Sequence, residues 1–428
     1  MWVIAAGAYC QLMVGSAALL SRLLLAPLTL LADIDNRHVY LNVASLPRLL
    51  FCRYSTARHL FNPDHTQEEG VLNVTRGNLR SKLRSNRLAA ALLTVFAVGI
   101  LNYFSIAGAN MKTTIEKVEY KGWKNNLKIS NGEAELIITL DVGPRVIRYG
   151  YVGAANVFKE FDDQIGKTGE REWMIRGGHR LWHAPEEIKR TYELDNSPVK
   201  WEKLGESGAR VIQDVEPNTG IQKEIDVTLD QQGTGVVIVH RLRNTNMWDV
   251  ELAPWALSVM APGGVEVIPL PEKIAHPGSL APGEKPDYRG FVPNQTMIVW
   301  PFTDLADPRW RWGTRYITLR QDVNAKSPTK LGLAHKLRWI AYLNNGALFV
   351  KAIGYQEGRQ YADGGSNFET FTNKDFLEIE SLGPLQRVAP GKTIEHVEKW
   401  GLMKGVPNET SDAAIDANIR PRVEPLIK

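Results

Sequence analysis

Short runs of alternating or β-branched residues recur from residue 134 to residue 401, and turn-forming residues separate them. Ten runs predict strands, at 134–140, 145–151, 222–229, 235–243, 251–260, 264–269, 316–320, 347–352, 376–382 and 393–401. Helical periodicity is scarce: 185–190 predicts a single turn, and 411–419 a short terminal helix. The segment 269–293 is rich in proline and glycine, which predicts a long surface loop. The pattern predicts an all-β domain of about 300 residues, a large sandwich or barrel.

The first 110 residues form a leader of different composition. They hold 10 Lys+Arg against 5 Asp+Glu, whereas the remainder holds 41 against 42. A nearly neutral body gives no electrostatic reason to expect a nucleic-acid partner. Both cysteines, Cys10 and Cys52, lie in the leader, so residues 111–428 cannot form a disulfide, a thiolate nucleophile or a cysteine-ligated metal site.

Within the leader, residues 88–107 contain no charged side chain over 20 positions. A helix of that length crosses a hydrocarbon core of about 30 Å. Basic residues precede it at positions 80, 82, 84 and 87, and the small residues Ala107-Gly108-Ala109 end it. This arrangement predicts a signal peptide or membrane anchor in a poorly ordered leader, with residues 111–428 outside the cytoplasm. The alternative is translation from Met111 and a cytoplasmic protein.

The ten residues 177–186 concentrate polar and aromatic chemistry: they include His179, Arg180, Trp182, His183 and Glu186 after a Gly-Gly pair. Any one histidine alone is more often a satisfied, partly buried polar residue. Together, an indole that can stack on a sugar ring and several hydrogen-bonding groups favour a site for a small polar ligand. The four-residue spacing of the histidines would suit a metal on a helix, but Pro185 and the preceding glycines argue against one, so no metal is predicted.

Glu369 is a second candidate, because it follows Asp363-Gly364-Gly365 and shares one face of a strand with Asn367. A carboxylate in this position could act as a general base, although a surface carboxylate would fit equally well. Arg145, at the start of a predicted strand, could hold an anion or ring hydroxyls. Glu378 and Glu380 alternate with apolar residues and predict a solvated or groove-facing strand face.

Nucleotide-binding, zinc-protease and serine-hydrolase functions have no support, because GxGxxG, P-loop, HExxH and GxSxG motifs are missing from the sequence.

The segments GGHRLWHAPE and NFETFTNKDFLEIESLGP, with APGG at 261–264, resemble an uncharacterised bacterial family within the galactose mutarotase-like superfamily, that of the aldose 1-epimerases. The resemblance covers roughly residues 115–402 and excludes the leader. It implies a β-supersandwich with a sugar cleft and a reaction that needs no cofactor. Phe368-Glu369-Thr370 resembles the motif of the catalytic glutamate, so the resemblance gives Glu369 the role of base. Gly177-Gly178-His179 is similar to the motif of one histidine.

One departure concerns the second histidine, the usual acid of the superfamily. The corresponding stretch here is 256–262, which contains no histidine. Either His183 replaces it or the mutarotase reaction is lost.

The sequence therefore predicts an epimerase or mutarotase-like protein that acts on an aldose or sugar derivative. In this prediction Glu369 is the base and His179 or His183 is the acid. The predicted binding residues are Arg180, Trp182, Glu186, Arg145 and Asn367. A saccharide-binding protein without turnover is the alternative, and a domain of a sugar lyase or hydrolase is a third. A small-molecule sugar or glycan is the expected partner.

Overall fold

The computed structural model describes residues 112–427. The predicted spanning helix at 88–107, the rest of the leader and both cysteines lie outside these residues. In the part that is described, the helices are all too short or too polar to cross a membrane.

Two antiparallel sheets form a sandwich. The front sheet has the order β1-β2-β3-β4-β5-β10-β19-β18-β15-β12, with β20 pairing beside β10. Its strands are β1 Thr114–Tyr120, β2 Trp123–Ser130, β3 Ala134–Thr139, β4 Arg145–Tyr151, β5 Gly178–Ala184, β10 Val250–Met260, β12 Met297–Val299, β15 Thr329–Leu333, β18 Phe368–Thr372, β19 Leu377–Leu382 and β20 Gln386–Val388.

The back sheet has the order β13-β14-β11-β16-β17-β21-β9-β8-β7-β6. Its strands are β6 Lys200–Leu204, β7 Gly208–Ile212, β8 Ile221–Leu229, β9 Val236–Asn244, β11 Val265–Pro269, β13 Trp310–Trp312, β14 Tyr316–Arg320, β16 Trp339–Asn344, β17 Ala347–Ile353 and β21 Thr393–Lys404. The described helices are short: α1 Ile188–Thr191, α2 Asp412–Asn418 and α3 Arg420–Ile427, with 3-10 turns at Pro277–Ser279 and Tyr288–Phe291.

The main core lies between the two sheets. It joins side chains such as Leu136 and Leu181 of the front sheet to Ile238 and Trp400 of the back sheet. A second apolar cluster covers the outer face of the back sheet, where Ile415 of α2 packs with residues of β11, β16 and β17. The outer face of the front sheet carries the cleft described below.

The all-β prediction is confirmed, and each of the ten predicted runs overlaps a strand of the structure. The predicted surface loop at 269–293 is confirmed and carries the two 3-10 turns. The strand β5 was not predicted. All seven of its residues are buried, so its sequence does not show the alternation of a strand with one exposed face.

Candidate functional site

Strand β5 presents two different sets of side chains to the two faces of the front sheet. Arg180 and Trp182 point to the outer face, whereas His179, Leu181 and His183 point between the sheets, because successive residues of a strand alternate. The strand pairs with β10 along its whole length, from Ala184 to Gly178. This pairing fixes which residues face outward.

The glycines that precede His179 are required by close backbone contacts. Gly177 has φ +96° and Gly178 has φ +72°, a region that disfavours other residues. A Cβ atom on Gly177 would overlap the carbonyl oxygen of Lys159, and one on Gly178 would overlap that of Val146. The Gly-Gly pair therefore lets the chain enter β5 close to its backbone neighbours.

A cleft of about 310 Å³ lies on the outer face of the front sheet. Such a volume suits one small ligand. Aromatic rings and charged side chains line it: Trp173, Ile175, Arg180, Trp182, Glu186, Tyr192, Trp255, Leu257, Trp300, Phe302, Lys330, Phe371, Phe376, Glu378 and Glu380. The ring of Trp182 lies 5.0 Å from that of Trp173, 4.9 Å from that of Tyr192 and 5.3 Å from that of Trp255, between centroids. These rings form a continuous aromatic wall.

Arg180 is held inside this wall. Its guanidinium lies 4.3 Å from the ring centroid of Trp182 and 5.2 Å from that of Trp173, both within cation–π range. Its Nη2 atom donates to Glu378 Oε1 at 2.8 Å. The side chain is 2% exposed, and its Nε and Nη1 atoms have no hydrogen-bond partner among the described residues. Donors in this position are available to a ligand in the cleft.

Lys330 of β15 lies between two carboxyl groups. Its Nζ atom is 2.7 Å from Glu369 Oε2 and 3.1 Å from Glu380 Oε2. The same ammonium lies 4.9 Å from the ring centroid of Trp255 and 4.6 Å from that of Trp300. A single buried cation therefore joins the carboxylates of β18 and β19 to the aromatic wall.

Glu380 differs from the other carboxyl groups of the cleft. Burial raises its pKa to about 8, and the charges of Glu378 and Glu369 act in the same direction, against the opposing effect of Lys330. Trp255 Nε1 donates to its Oε2 at 3.0 Å. Both the tryptophan and the lysine contact Oε2, so a proton on Oε1 is compatible with them. Glu380 thus keeps a proton at neutral pH, in contact with the cleft.

The predicted binding residues Arg180, Trp182 and Glu186 all line the cleft. Glu186 accepts a hydrogen bond from the Tyr192 hydroxyl at 2.6 Å. Glu369 lies on the same face of the sheet but is fully buried behind Lys330, and Ser366 donates to its Oε1 at 2.7 Å.

Two further predicted residues do not line the cleft. Arg145 is fully buried, donates to the carbonyl oxygens of Ile175 and Gly177, and forms an ion pair with Asp195 at 2.6 Å. It therefore holds the segment that carries Ile175, which lines the cleft. Asn367 joins loops, because it accepts from the backbone of His335 and donates to the carbonyl oxygen of Gly354.

The structure does not bring His179 to the cleft. Its side chain points between the sheets, where Nδ1 lies 2.9 Å from Ser258 Oγ and Nε2 lies 2.7 Å from His240 Nε2. The neighbouring Glu398 is fully buried and forms an ion pair with Lys351 at 2.9 Å. Burial holds the pKa of His179 well below its ordinary value, so the ring is neutral. Its environment is that of a satisfied core histidine.

His183 also points between the sheets. Its Nε2 atom lies 3.3 Å from Glu216 Oε2, and Glu216 forms a second ion pair with Lys223. Burial lowers the pKa of His183. Neither histidine therefore stands beside Glu369 across one ligand, because the period of β5 directs both to the opposite face.

One group of side chains has the composition of a metal site. His179, His240 and Glu398 each direct one donor atom to a common region, with these atoms within 4.8 Å of one another. The two imidazoles already share a hydrogen bond, however, and the charge of Glu398 is balanced by Lys351. Since these contacts account for the group, it gives no reason to expect an ion.

Sequence reasoning missed Lys330, Trp255, Trp300 and Trp173. They lie on separate strands and loops, and only the pairing of β5, β10, β19, β18 and β15 brings them together. Glu378 and Glu380 were predicted to be solvated or groove-facing, and they line the cleft.

No family model and no curated protein matches the sequence. Among solved structures, the neighbours include two galactose mutarotase-like proteins and the Slr1438 protein. One from Lactobacillus casei is 8% identical and covers 65% of this chain and 100% of its own, with a TM-score of 0.41. One from Clostridium acetobutylicum is 9% identical and covers 68% and 99%, with a TM-score of 0.41. The Slr1438 protein from Synechocystis is 10% identical and covers 68% and 99%, with a TM-score of 0.44. Similarity at this level carries no information on substrate or reaction.

Proposed function

We propose that the cleft binds a saccharide and interconverts its anomers or epimers by acid/base ring opening. The observation that supports this most is the pair formed by Glu378 and Glu380 on β19, beneath an aromatic wall. Glu378 is paired with Arg180, whereas burial raises the pKa of Glu380 to about 8 although Lys330 lies 3.1 Å from its Oε2 atom. Proton transfer in both directions requires an acid and a base within reach of one ligand, and Glu378 and Glu380 supply two carboxyl groups in different environments.

The aromatic wall would hold the ring. The faces of a pyranose expose C–H groups, which pack on an indole, and its hydroxyl groups need donors and acceptors at the edge of the ring. Trp182 and Trp255 supply the indole surface, and Arg180 and Lys330 supply donors. The tryptophans therefore suit the C–H faces of a sugar ring, and the charged groups suit its hydroxyl groups.

Glu380 would act as the acid and Glu378 as the base. Residues two apart in a strand are separated by roughly 6.6 Å, so the two carboxyl groups can contact different oxygens of one ring. The base takes the proton of the anomeric hydroxyl, the bond between the anomeric carbon and the ring oxygen breaks, and its electron pair remains on that oxygen. The ring oxygen then takes the proton from Glu380, which leaves an open-chain aldehyde. Closure onto the other face of the carbonyl reverses both transfers, so no oxidant or cofactor is consumed.

Glu369 has a positioning role in this proposal. It lies behind Lys330 and does not line the cleft, so it acts on a ligand through the lysine. Its charge also helps to keep the proton on Glu380. The role differs from the base role that the motif resemblance implies.

The test is proton NMR on the full chain with freshly dissolved aldoses. Anomer exchange is followed by the anomeric signals, and binding by saturation transfer. We expect exchange faster than in buffer, and a loss of about 10²-fold or more in Glu380→Gln with binding retained. The matched control is Glu116→Gln, an exposed carboxylate on β1.

Saturation transfer with no acceleration by the unsubstituted protein would contradict the enzyme and leave a saccharide-binding protein. Silence in both measurements would contradict the saccharide cleft itself.

A further inference from the structure

A second cleft, of about 360 Å³, lies where β5 ends and where β8 and β10 begin. It shares no lining residue with the cleft on the outer face of the front sheet. Its lining includes His183 of β5, Lys189 and Arg190 of α1, and Asn218 of the turn before β8. The histidine that strand alternation turns away from the first cleft is therefore part of the second.

The contacts of His183 determine which ring nitrogen carries the proton. Burial opposes the charge of Glu216, but Lys223 and His183 lower the pKa of that carboxyl to about 2, so it is an acceptor. His183 Nε2 lies 3.3 Å from Glu216 Oε2 and therefore donates. Because burial lowers the pKa of His183, the ring holds this one proton at neutral pH. Its Nδ1 atom is then a hydrogen-bond acceptor.

Two buried polar atoms of the second cleft lack partners among the described residues. His183 is 0% exposed, and its Nδ1 atom has no donor; the Nε atom of Arg190 has no acceptor. The other side of the Arg190 guanidinium is held, because Nη2 donates to the carbonyl oxygen of Pro185 at 2.5 Å. Buried donors and acceptors are normally satisfied. A ligand with a hydroxyl group beside an acceptor oxygen would satisfy both atoms.

The charged side chains around the second cleft include two cations without partners. Neither Lys189 nor Arg190 forms an ion pair with a carboxylate of residues 112–427. Glu187 also lines the cleft, but its Oε2 atom accepts from the backbone N–H of Lys189 at 3.0 Å and caps α1. Glu193, outside the lining, accepts from the Asn218 amide at 2.9 and 3.1 Å. The ammonium and the guanidinium therefore remain for an anionic group of a ligand.

We propose that the second cleft binds a small hydroxy acid, a carboxylate with a neighbouring hydroxyl group. Its carboxylate accepts from Arg190 and Lys189 in charge-assisted hydrogen bonds, and its hydroxyl group donates to Nδ1 of His183. Two cations and the Glu187 carboxylate leave one positive charge in the lining, which suits a monoanion better than a phosphate dianion.

The experiment compares three ligands that share a three-carbon chain: lactate, propionate, which lacks the hydroxyl group, and 1,2-propanediol, which lacks the carboxylate. Saturation-transfer titration of the full chain at neutral pH gives the three affinities. We expect lactate to bind roughly tenfold more tightly than either of the others. Added salt should reduce the difference between lactate and propanediol, since the exposed Lys189 is screened.

Two substitutions separate the contacts. Arg190→Gln should weaken lactate binding roughly tenfold, because the charge-assisted contact is lost. His183→Leu removes the acceptor and should bring lactate and propionate to similar affinities. Urea denaturation checks that this second variant folds; if it does not, Arg190→Gln and the three ligands decide the matter. The matched control is Lys117→Gln, which removes an exposed cation of β1 and should leave all three affinities unchanged.

Equal affinities for lactate and propionate in the unsubstituted protein would overturn the contact with His183. Equal affinities for lactate and propanediol would overturn the contact with the two cations. If none of the three ligands binds, or if inorganic phosphate binds more tightly than lactate, the hydroxy-acid site itself is overturned. Each of these results leaves the proposed saccharide cleft in place, because that cleft is tested with aldoses and has no residue in common with this one.

Discussion

Glu369 and Glu380 occupy directly opposite positions on β18 and β19, and the ammonium of Lys330 lies between their carboxyl groups. Lys330→Met would remove the cation that contacts both buried carboxyl groups, and Glu369 would lose its basic partner. We expect the free energy of unfolding to fall by about 3–5 kcal/mol, measured by urea denaturation. The double variant Lys330→Met/Glu369→Gln should lose less, because a neutral amide then replaces the unpaired Glu369 carboxyl and Glu380 keeps its proton. If Lys330→Met were as stable as the unsubstituted protein, Lys330 would not be the counter-charge that these buried carboxyl groups require.

The pH dependence of anomer exchange follows from Glu380. Its pKa is raised from 4.5 to about 8, chiefly by burial, so the proton that the reaction needs is lost as the pH rises through about 8. Exchange should fall above that pH. Because the folded protein holds this proton more tightly than the unfolded chain, the same ionisation lowers stability as the pH rises from about 4.5 through 8.

The control for this prediction is Glu380→Gln, in which the pH-dependent part of stability between these values should shrink. Exchange that increases above pH 8 would contradict the role of Glu380 as the acid.

Trp182→Leu tests the aromatic wall. The substitution removes the ring that lies 4.3 Å from the Arg180 guanidinium and contacts Trp255. Affinity for the ligand should fall by roughly tenfold, since both the surface for the ring and the support of Arg180 are lost. NMR titration measures the change. Trp248→Leu is the matched control, because Trp248 is 62% exposed and does not line the cleft. Equal losses in the two variants would count against the cleft as the binding site.

His179→Asn tests whether His179 contributes to the stability of the fold or to the reaction. The substitution breaks the contacts with His240 and Ser258 between the sheets, so unfolding should require about 1–3 kcal/mol less. Anomer exchange per folded molecule should remain, because the side chain does not reach the cleft. Denaturation and NMR exchange on the same preparation give both quantities. If exchange is lost while stability is kept, His179 takes part in the reaction after all.

The sequence was sufficient for the all-β class and for ten of the strands, because alternation and turn residues act locally. It also identified Arg180, Trp182 and Glu186, which the structure places in one cleft. It could not assign His179 and His183 to a face, because β5 is buried on both sides and its register depends on β10. Lys330 and Trp300 carried no local signal, since their role depends on carboxylates and rings that are distant in the sequence.

The alternation along β5 has a consequence for how such a protein can change. Substitutions at Arg180 and Trp182 alter what the cleft binds, whereas those at His179 and His183 alter how firmly the sheets are joined. Selection or laboratory evolution can therefore change ligand specificity and the stability of the sandwich at adjacent codons, with little effect of one change on the other property. A deletion of one residue in this strand is different, because it would exchange the two sets and change both properties in a single step.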